Sequence, residues 1–181
     1  MFPLREKISP INSLLDLNFC TQNVRSLNIA TKNIITEQKL LAITKSGADI
    51  TFLTDLRLNS LKQITACKDV SKKLYFMGFK FIHNSPTSSR GVGLIIKRSS
   101  LEKIVILNTV RDTEGNYLLI DIEHNRERFT LGSVYGANTN EGIHMYDNLQ
   151  EDILRLKNKK IILEGDWNAT WDRWEVQNNI D

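Results

Sequence analysis

The chain has 181 residues, 41% hydrophobic and 25% charged, with nine Gly, three Pro and two Cys. These proportions suit one globular domain over residues 1–181 and exclude a disordered, collagen-like or coiled-coil chain, a disulfide framework and a four-cysteine zinc site. The formal net charge of +3 is unevenly spread: residues 57–98 hold nine Lys/Arg and one acid, Asp69, whereas residues 141–181 hold five bases and nine acids.

At the start of the chain, residues 1–7 lack the apolar run of a signal peptide, and no window reaches the ~18 uninterrupted apolar residues of a membrane helix. The expectation is a soluble, intracellular, non-secreted protein with no membrane partner. Residues 17–23 alternate roughly between apolar and polar and predict a half-buried strand ending at Asn23. Ile34, Ile35, Leu40, Leu41 and Ile43 form a helical stripe between Lys32 and Ser46, with Gly47 as its stop. Residues 49–54 read as a short buried strand and residues 61–75 as a basic helix ended near Gly78. Five strand-like stretches follow, at 79–83, 91–97, 103–107, 117–122 and 129–135, separated by turn signals such as Glu114-Gly115-Asn116 and Asn125-Arg126. Ile143, Tyr146, Leu149, Ile153 and Leu156 recur every three or four residues and predict an amphipathic helix over 142–157. Ile161, Ile162 and Leu163 form a last buried strand running into Gly165-Asp166. This element order points to an α/β architecture with mixed sheets.

Four polar clusters stand at the ends of predicted strands: Asn23, Asp55, Tyr135 with Asn138, and Asp166 with Asn168. Strand ends are where side chains distant in sequence converge on one pocket in layered α/β folds. A carboxylate beside an amide can hold Mg²⁺, and a second carboxylate can activate water for attack on a phosphodiester. Taken singly, Asn and Asp are also ordinary turn residues, and Tyr135 also suits a core position at a strand end. The basic run from Arg57 to Arg98 suits either a polyanion or a solvated helix face. Trp167, Trp171 and Trp174 suit base stacking or, more often, the covering of a core. Cys20 and Cys67, with no Cys or His nearby in sequence, read as apolar fillers.

In order, these clusters resemble the motifs of the endonuclease/exonuclease/phosphatase superfamily. Gln22-Asn23-Val24-Arg25-Ser26-Leu27 is similar to its opening motif in the form carried by endonuclease domains of non-LTR (LINE-type) retrotransposons. Asp49-Ile50-Thr51-Phe52-Leu53-Thr54-Asp55 stands where that family has Asp-Ile-x-x-Leu-x-Glu. Arg90-Gly91-Val92-Gly93-Leu94-Ile95-Ile96 resembles its Gly-Val-Ala/Gly strand, Tyr135-Gly136-Ala137-Asn138 its Tyr-x-Pro-Asn, and Glu164-Gly165-Asp166-Trp167-Asn168 its Gly-Asp-Phe-Asn. Trp174 also matches a Trp that some retrotransposon endonucleases carry there.

The resemblance implies a four-layer α/β sandwich, two mixed β-sheets flanked by helices. It implies a Mg²⁺-dependent DNA endonuclease, Mn²⁺ being an alternative ion, in which Asn23 and Asp55 hold the metal and Asp166 orients or deprotonates the attacking water. Asn168 would hold the phosphate or nucleophile, while Tyr135 and Asn138 would donate hydrogen bonds to non-bridging oxygens. Arg25, Arg57 and Arg90 are expected on the DNA backbone. DNA is then the partner, a reverse transcriptase downstream in the same polypeptide a possible further one, and the nucleus the place of action if the target is chromosomal. Two departures stand out. Asp55 is one methylene shorter than the family's Glu, and no Ser-Asp-His motif follows Gly165, so a domain truncated at the C-terminus and short of its last strands is expected. An abasic-site repair nuclease, another phosphoesterase of the superfamily and a non-catalytic nucleic-acid-binding module are the alternatives.

Overall fold

A computed structural model describes residues 16–27, 34–136 and 142–168. Asn138, Trp171 and Trp174 lie outside them.

Strand β1 (Phe19–Asn23) is followed by α1 (Ile34–Thr44), β2 (Ile50–Thr54), α2 (Ile64–Phe76), β3 (Phe79–Asn84), β4 (Val92–Lys97) and the short α3 (Arg98–Leu101). The second half holds β5 (Ile104–Arg111), β6 (Tyr117–His124), β7 (Glu127–Tyr135), α4 (Gly142–Leu156) and β8 (Ile161–Asp166). Two four-stranded sheets result, ordered β1-β2-β4-β3 and β5-β6-β7-β8. Each is mixed in the same way. One parallel pair, β1 with β2 or β7 with β8, extends an antiparallel remainder.

The β2 sequence Ile-Thr-Phe-Leu-Thr shows why the layers stack. Successive strand side chains point to opposite faces, and all five residues are buried. Ile50 and Phe52 enter the core between the sheets, with Leu94 and Ile96 from β4 and Leu118, Ile120, Phe129 and Leu131 from the second sheet. Leu53 and Ile95 face the other way, onto Leu40 and Ile43 of α1 and Cys67, Val70 and Leu74 of α2. The 67, 70, 74 spacing is one helical stripe; Lys68 and Lys72 stay exposed. On the far side, Met145, Leu149 and Leu156 of α4 cover Leu119 and Val134 of the second sheet. The protein is thus a four-layer α/β sandwich, as the resemblance implied. At about 1.5–3 kcal/mol for each large apolar side chain fully buried, these three cores supply most of the drive to stack the layers.

Strand β5 is longer than the 103–107 expected. Its register against β6 shifts between Ile106 and Asn108, and Leu107 is left exposed. A bulge interrupts the period-2 pattern by which a strand is read, so the sequence signal stops although the ladder resumes. Cys67 is buried, and burial pushes its thiol pKa up, as fits an unreactive filler. None of the helices described is long and apolar enough to cross a membrane.

His124, at the end of β6, is buried and tied on both sides: Nδ1 lies 2.8 Å from the Lys103 carbonyl oxygen and Nε2 2.9 Å from Asp16 Oδ1. Burial by itself lowers its pKa, but the Lys103 carbonyl and the Asp16 carboxylate outweigh it and hold the imidazole above its ordinary 6.5. A folded-state pKa raised above the unfolded one stabilises fully below the unfolded pKa and is lost as pH rises through the folded value. The melting temperature is therefore expected to fall as pH rises from about 6.5 through the raised pKa, and His124→Gln to flatten that slope. Melting curves of both proteins between pH 5 and 9 check this; parallel slopes would contradict it.

Candidate active site

The parallel pairs place the expected residues. In β1 and β2, Asn23 is level with Thr54, one residue before Asp55; in β7 and β8, Tyr135 is level with Asp166. Both pairs therefore end at the same pole, the carboxyl ends of parallel strands, where open α/β sheets bind ligands. The pairs also pack on each other, β1 and β2 against β8 and β2 against β7. Among the described residues, three side-chain bonds cross this seam. Ser133 Oγ donates to the Leu53 carbonyl at 2.9 Å, Thr21 Oγ1 donates to Glu164 Oε2 at 3.0 Å, and Asn23 Nδ2 donates to Asp166 Oδ2 at 2.9 Å.

Beyond the strands the two chains of the first sheet keep pairing. The N–H groups of Val24, Ser26 and Leu27 donate to the carbonyls of Thr54, Asp55 and Leu56. The price is left-handed backbone at Arg25, Ser26, Asp55, Arg57 and Asn59, with φ between 47° and 75°. Each such residue costs on the order of 1–3 kcal/mol unless its surroundings over-determine it. Here Leu27, Leu56 and Leu58 are fully buried anchors, and Lys39 Nζ donates to the carbonyls of Arg25 and Ser26 at 2.8 and 2.9 Å. Asp also tolerates the left-handed region better than most residues.

With Leu56 turned inward, Asp55 and Arg57 meet. Arg57 Nε donates to Asp55 Oδ1 at 2.6 Å and Nη2 to Oδ2 at 3.0 Å, a bidentate pair. The Asp55 side chain is 5% exposed and that of Arg57 47%. Asp55 first, and Tyr135 in addition, hold the Arg57 guanidinium above its ordinary pKa. Asn23 orients Asp166 with its amide nitrogen and accepts the Arg25 N–H on its Oδ1 at 3.1 Å. Asn168, itself at φ 45°, donates from Nδ2 to the Gly136 carbonyl at 2.8 Å. Arg90 Nη1 donates to Glu114 Oε2 and Asn116 Oδ1, and the Arg90 carbonyl accepts the Arg57 N–H.

The pole thus brings together Asn23, Asp55, Arg57, Tyr135, Asp166 and Asn168, with Arg25 exposed at the rim. Trp167 packs with the α4 core and stacks on Tyr146, ring centroids 6.4 Å apart. Sequence reasoning missed the Thr21–Glu164 bridge, the Lys39 clamp and the Asp55–Arg57 pair. None of the three left a trace, the last because it depends on left-handed backbone at Asp55 and Arg57 that no strand or helix period reports.

The donor chemistry suits Mg²⁺, which takes carboxylate and carbonyl oxygens. The arrangement does not. Both oxygens of Asp55 already receive N–H groups of Arg57, Asn23 serves Asp166 and the Arg25 amide, and no three His, Cys, Asp or Glu side chains among the described residues are grouped to hold an ion. A divalent cation on Asp55 would meet the guanidinium at close range and be repelled.

No family profile and no curated protein matches the chain. Solved structures do. The humanized TDP2 of D. rerio superposes with a TM-score of 0.56 at 17% identity, over 90% of this chain and 65% of that one. The AP endonuclease LMAP from Leishmania major gives 0.55 at 16% identity, over 83% and 54%. The endonuclease domain of TRAS1, a telomere-specific non-LTR retrotransposon, gives 0.51 at 15% identity, over 85% and 60%. The chain shares the fold of these structures. The chain spans between 54% and 65% of the length of these three structures.

Proposed function

We propose that the chain is a DNA endonuclease domain of the retrotransposon type, a phosphodiesterase that nicks one strand. The observation that carries this reading is the Asn23–Asp166 bond, which joins the two sheets at the pole and aims a carboxylate where Tyr135 and Arg57 also converge. Asp166 Oδ2 accepts from Asn23, so the carboxylate is fixed in orientation as a general base toward water needs to be. Tyr135 and Arg57 are donors for non-bridging phosphate oxygens, whose charge builds as the water attacks. Asn168 holds the Gly136 carbonyl just past the end of β7, beside Asp166. Arg25 and Lys39 add positive charge beside the cleft, where a DNA backbone would run. The Mg²⁺ or Mn²⁺ dependence implied by the motifs requires Arg57 to leave Asp55. Action on chromosomal DNA, and a reverse transcriptase in the same polypeptide, belong to this reading.

Conversion of supercoiled plasmid to the open-circular form tests it, run beside release of phosphate from small phosphomonoesters and cutting of an abasic-site duplex. Nicking of intact plasmid is expected. Cutting confined to the abasic site would assign a repair nuclease instead, and phosphate release without nicking a small-substrate phosphoesterase. The Asp55–Arg57 pair favours a second reading, a module that binds DNA without turning it over; DNA binding with no cleavage in EDTA, Mg²⁺ or Mn²⁺ would establish that one.

A further inference from the structure

We propose that Arg57 is the resident cation of this site: its guanidinium fills the place on Asp55 that a divalent ion would take, so the cleft binds a phosphodiester without metal. For the identity of the ligand this rests on the function proposed above; the exclusion of metal stands on the geometry alone.

Asp55 is 3% exposed and cannot be left uncompensated, since an unpaired buried carboxylate is strongly disfavoured. Arg57 meets it with two N–H groups in the fork geometry that fits a carboxylate. The match is local and built in. Left-handed backbone at both residues turns the side chains toward each other, and buried Leu56 fixes the turn between them. A guanidinium has five N–H donors, and Asp55 receives two. Tyr135 lies against the same group, and about half of the Arg57 side chain faces solvent. A donor fork held rigid from behind and open in front suits the oxygens of a phosphodiester. The shortness of Asp55 belongs to the same device, because a carboxylate on a short stem stays within reach of the side chain two residues on.

The test combines Mg²⁺ calorimetry with anisotropy of a labelled DNA oligonucleotide, on wild type, Asp55→Asn, Arg57→Gln, Arg57→Lys and the double variant Arg57→Gln/Asp55→Asn, each checked by thermal melting. Wild type is expected to give no Mg²⁺ heat that depends on Asp55 and to bind DNA equally in EDTA and in Mg²⁺. Arg57→Gln should weaken DNA binding in EDTA roughly 10- to 100-fold and gain Mg²⁺ binding that the double variant loses. Arg57→Lys keeps the charge on the buried carboxylate, so it should fold even if Gln does not, still exclude Mg²⁺, and bind DNA less tightly for want of the fork. Mg²⁺ binding by wild type that Asp55→Asn removes, or a DNA complex that EDTA dissolves, would overturn the inference. Wild type that binds no DNA in either condition would overturn the functional reading and the phosphodiester half of this one, while the Mg²⁺ titrations still judge Arg57.

Discussion

Asp166→Asn is expected to lower plasmid nicking by about 100- to 10,000-fold, the range a positioned general base contributes, with little change in melting temperature. The carboxylate is half-buried, accepts from Asn23 at 2.9 Å, and lies at the end of β8 instead of in a core. Asparagine keeps its shape and one oxygen for the Asn23 bond, so the fold loses little while the base is gone. Gel conversion rates for matched, melted and shown-folded samples decide it. A variant that cuts at wild-type rate would remove Asp166 from the chemistry and, with it, the reading of Gly165-Asp166-Trp167-Asn168 as the core of the site.

Gly165→Ala is expected to destabilise the protein strongly. Gly165 sits at φ +151°, and a Cβ there would lie 1.9 Å from the Val134 carbonyl oxygen of the neighbouring strand. Backbone cannot step aside as a side chain end can. Strain of about 1–3 kcal/mol for the disfavoured backbone and a similar amount for overpacking sum to roughly 2–6 kcal/mol. A chain of this size loses about 2–4 °C per kcal/mol, so a drop in melting temperature on the order of 4–24 °C follows. Because Val134 is level with Gly165 and Tyr135 with Asp166, the same displacement would move both site residues. Thermal melts of wild type and variant measure it, and a shift below a couple of degrees would show that β7 and β8 separate easily.

The strands were readable in the sequence because both sheets are covered on both faces. Residues such as Ile-Thr-Phe-Leu-Thr in β2 and Tyr-Leu-Leu-Ile in β6 are apolar runs short enough for strands and flanked by turn residues. The polar residues at the ends of β1, β7 and β8 were readable for the same reason, since a run ending in Asn23, Tyr135 or Asp166 marks its own boundary. Partnership was not. Asn23 could be placed at the pole, but its bond to Asp166 joins residues 143 positions apart, and no periodicity within either strand encodes which sheet it will face. Asp55 was read as a metal ligand from its motif, because the motif does not report the left-handed backbone that brings Arg57 onto it. Lys39, half-buried on α1, gives no sign in sequence that its ammonium closes the Arg25–Ser26 segment.

Each sheet is built from one continuous half of the chain, residues 19–97 for the first and 104–166 for the second. The Asp55–Arg57 pair is therefore internal to the first half, whereas the Thr21–Glu164, Asn23–Asp166 and Leu53–Ser133 bonds join the two halves. The buried carboxylate thus takes its neutralising partner from its own sheet, two residues away, whereas the cleft exists only where the two halves of the chain meet.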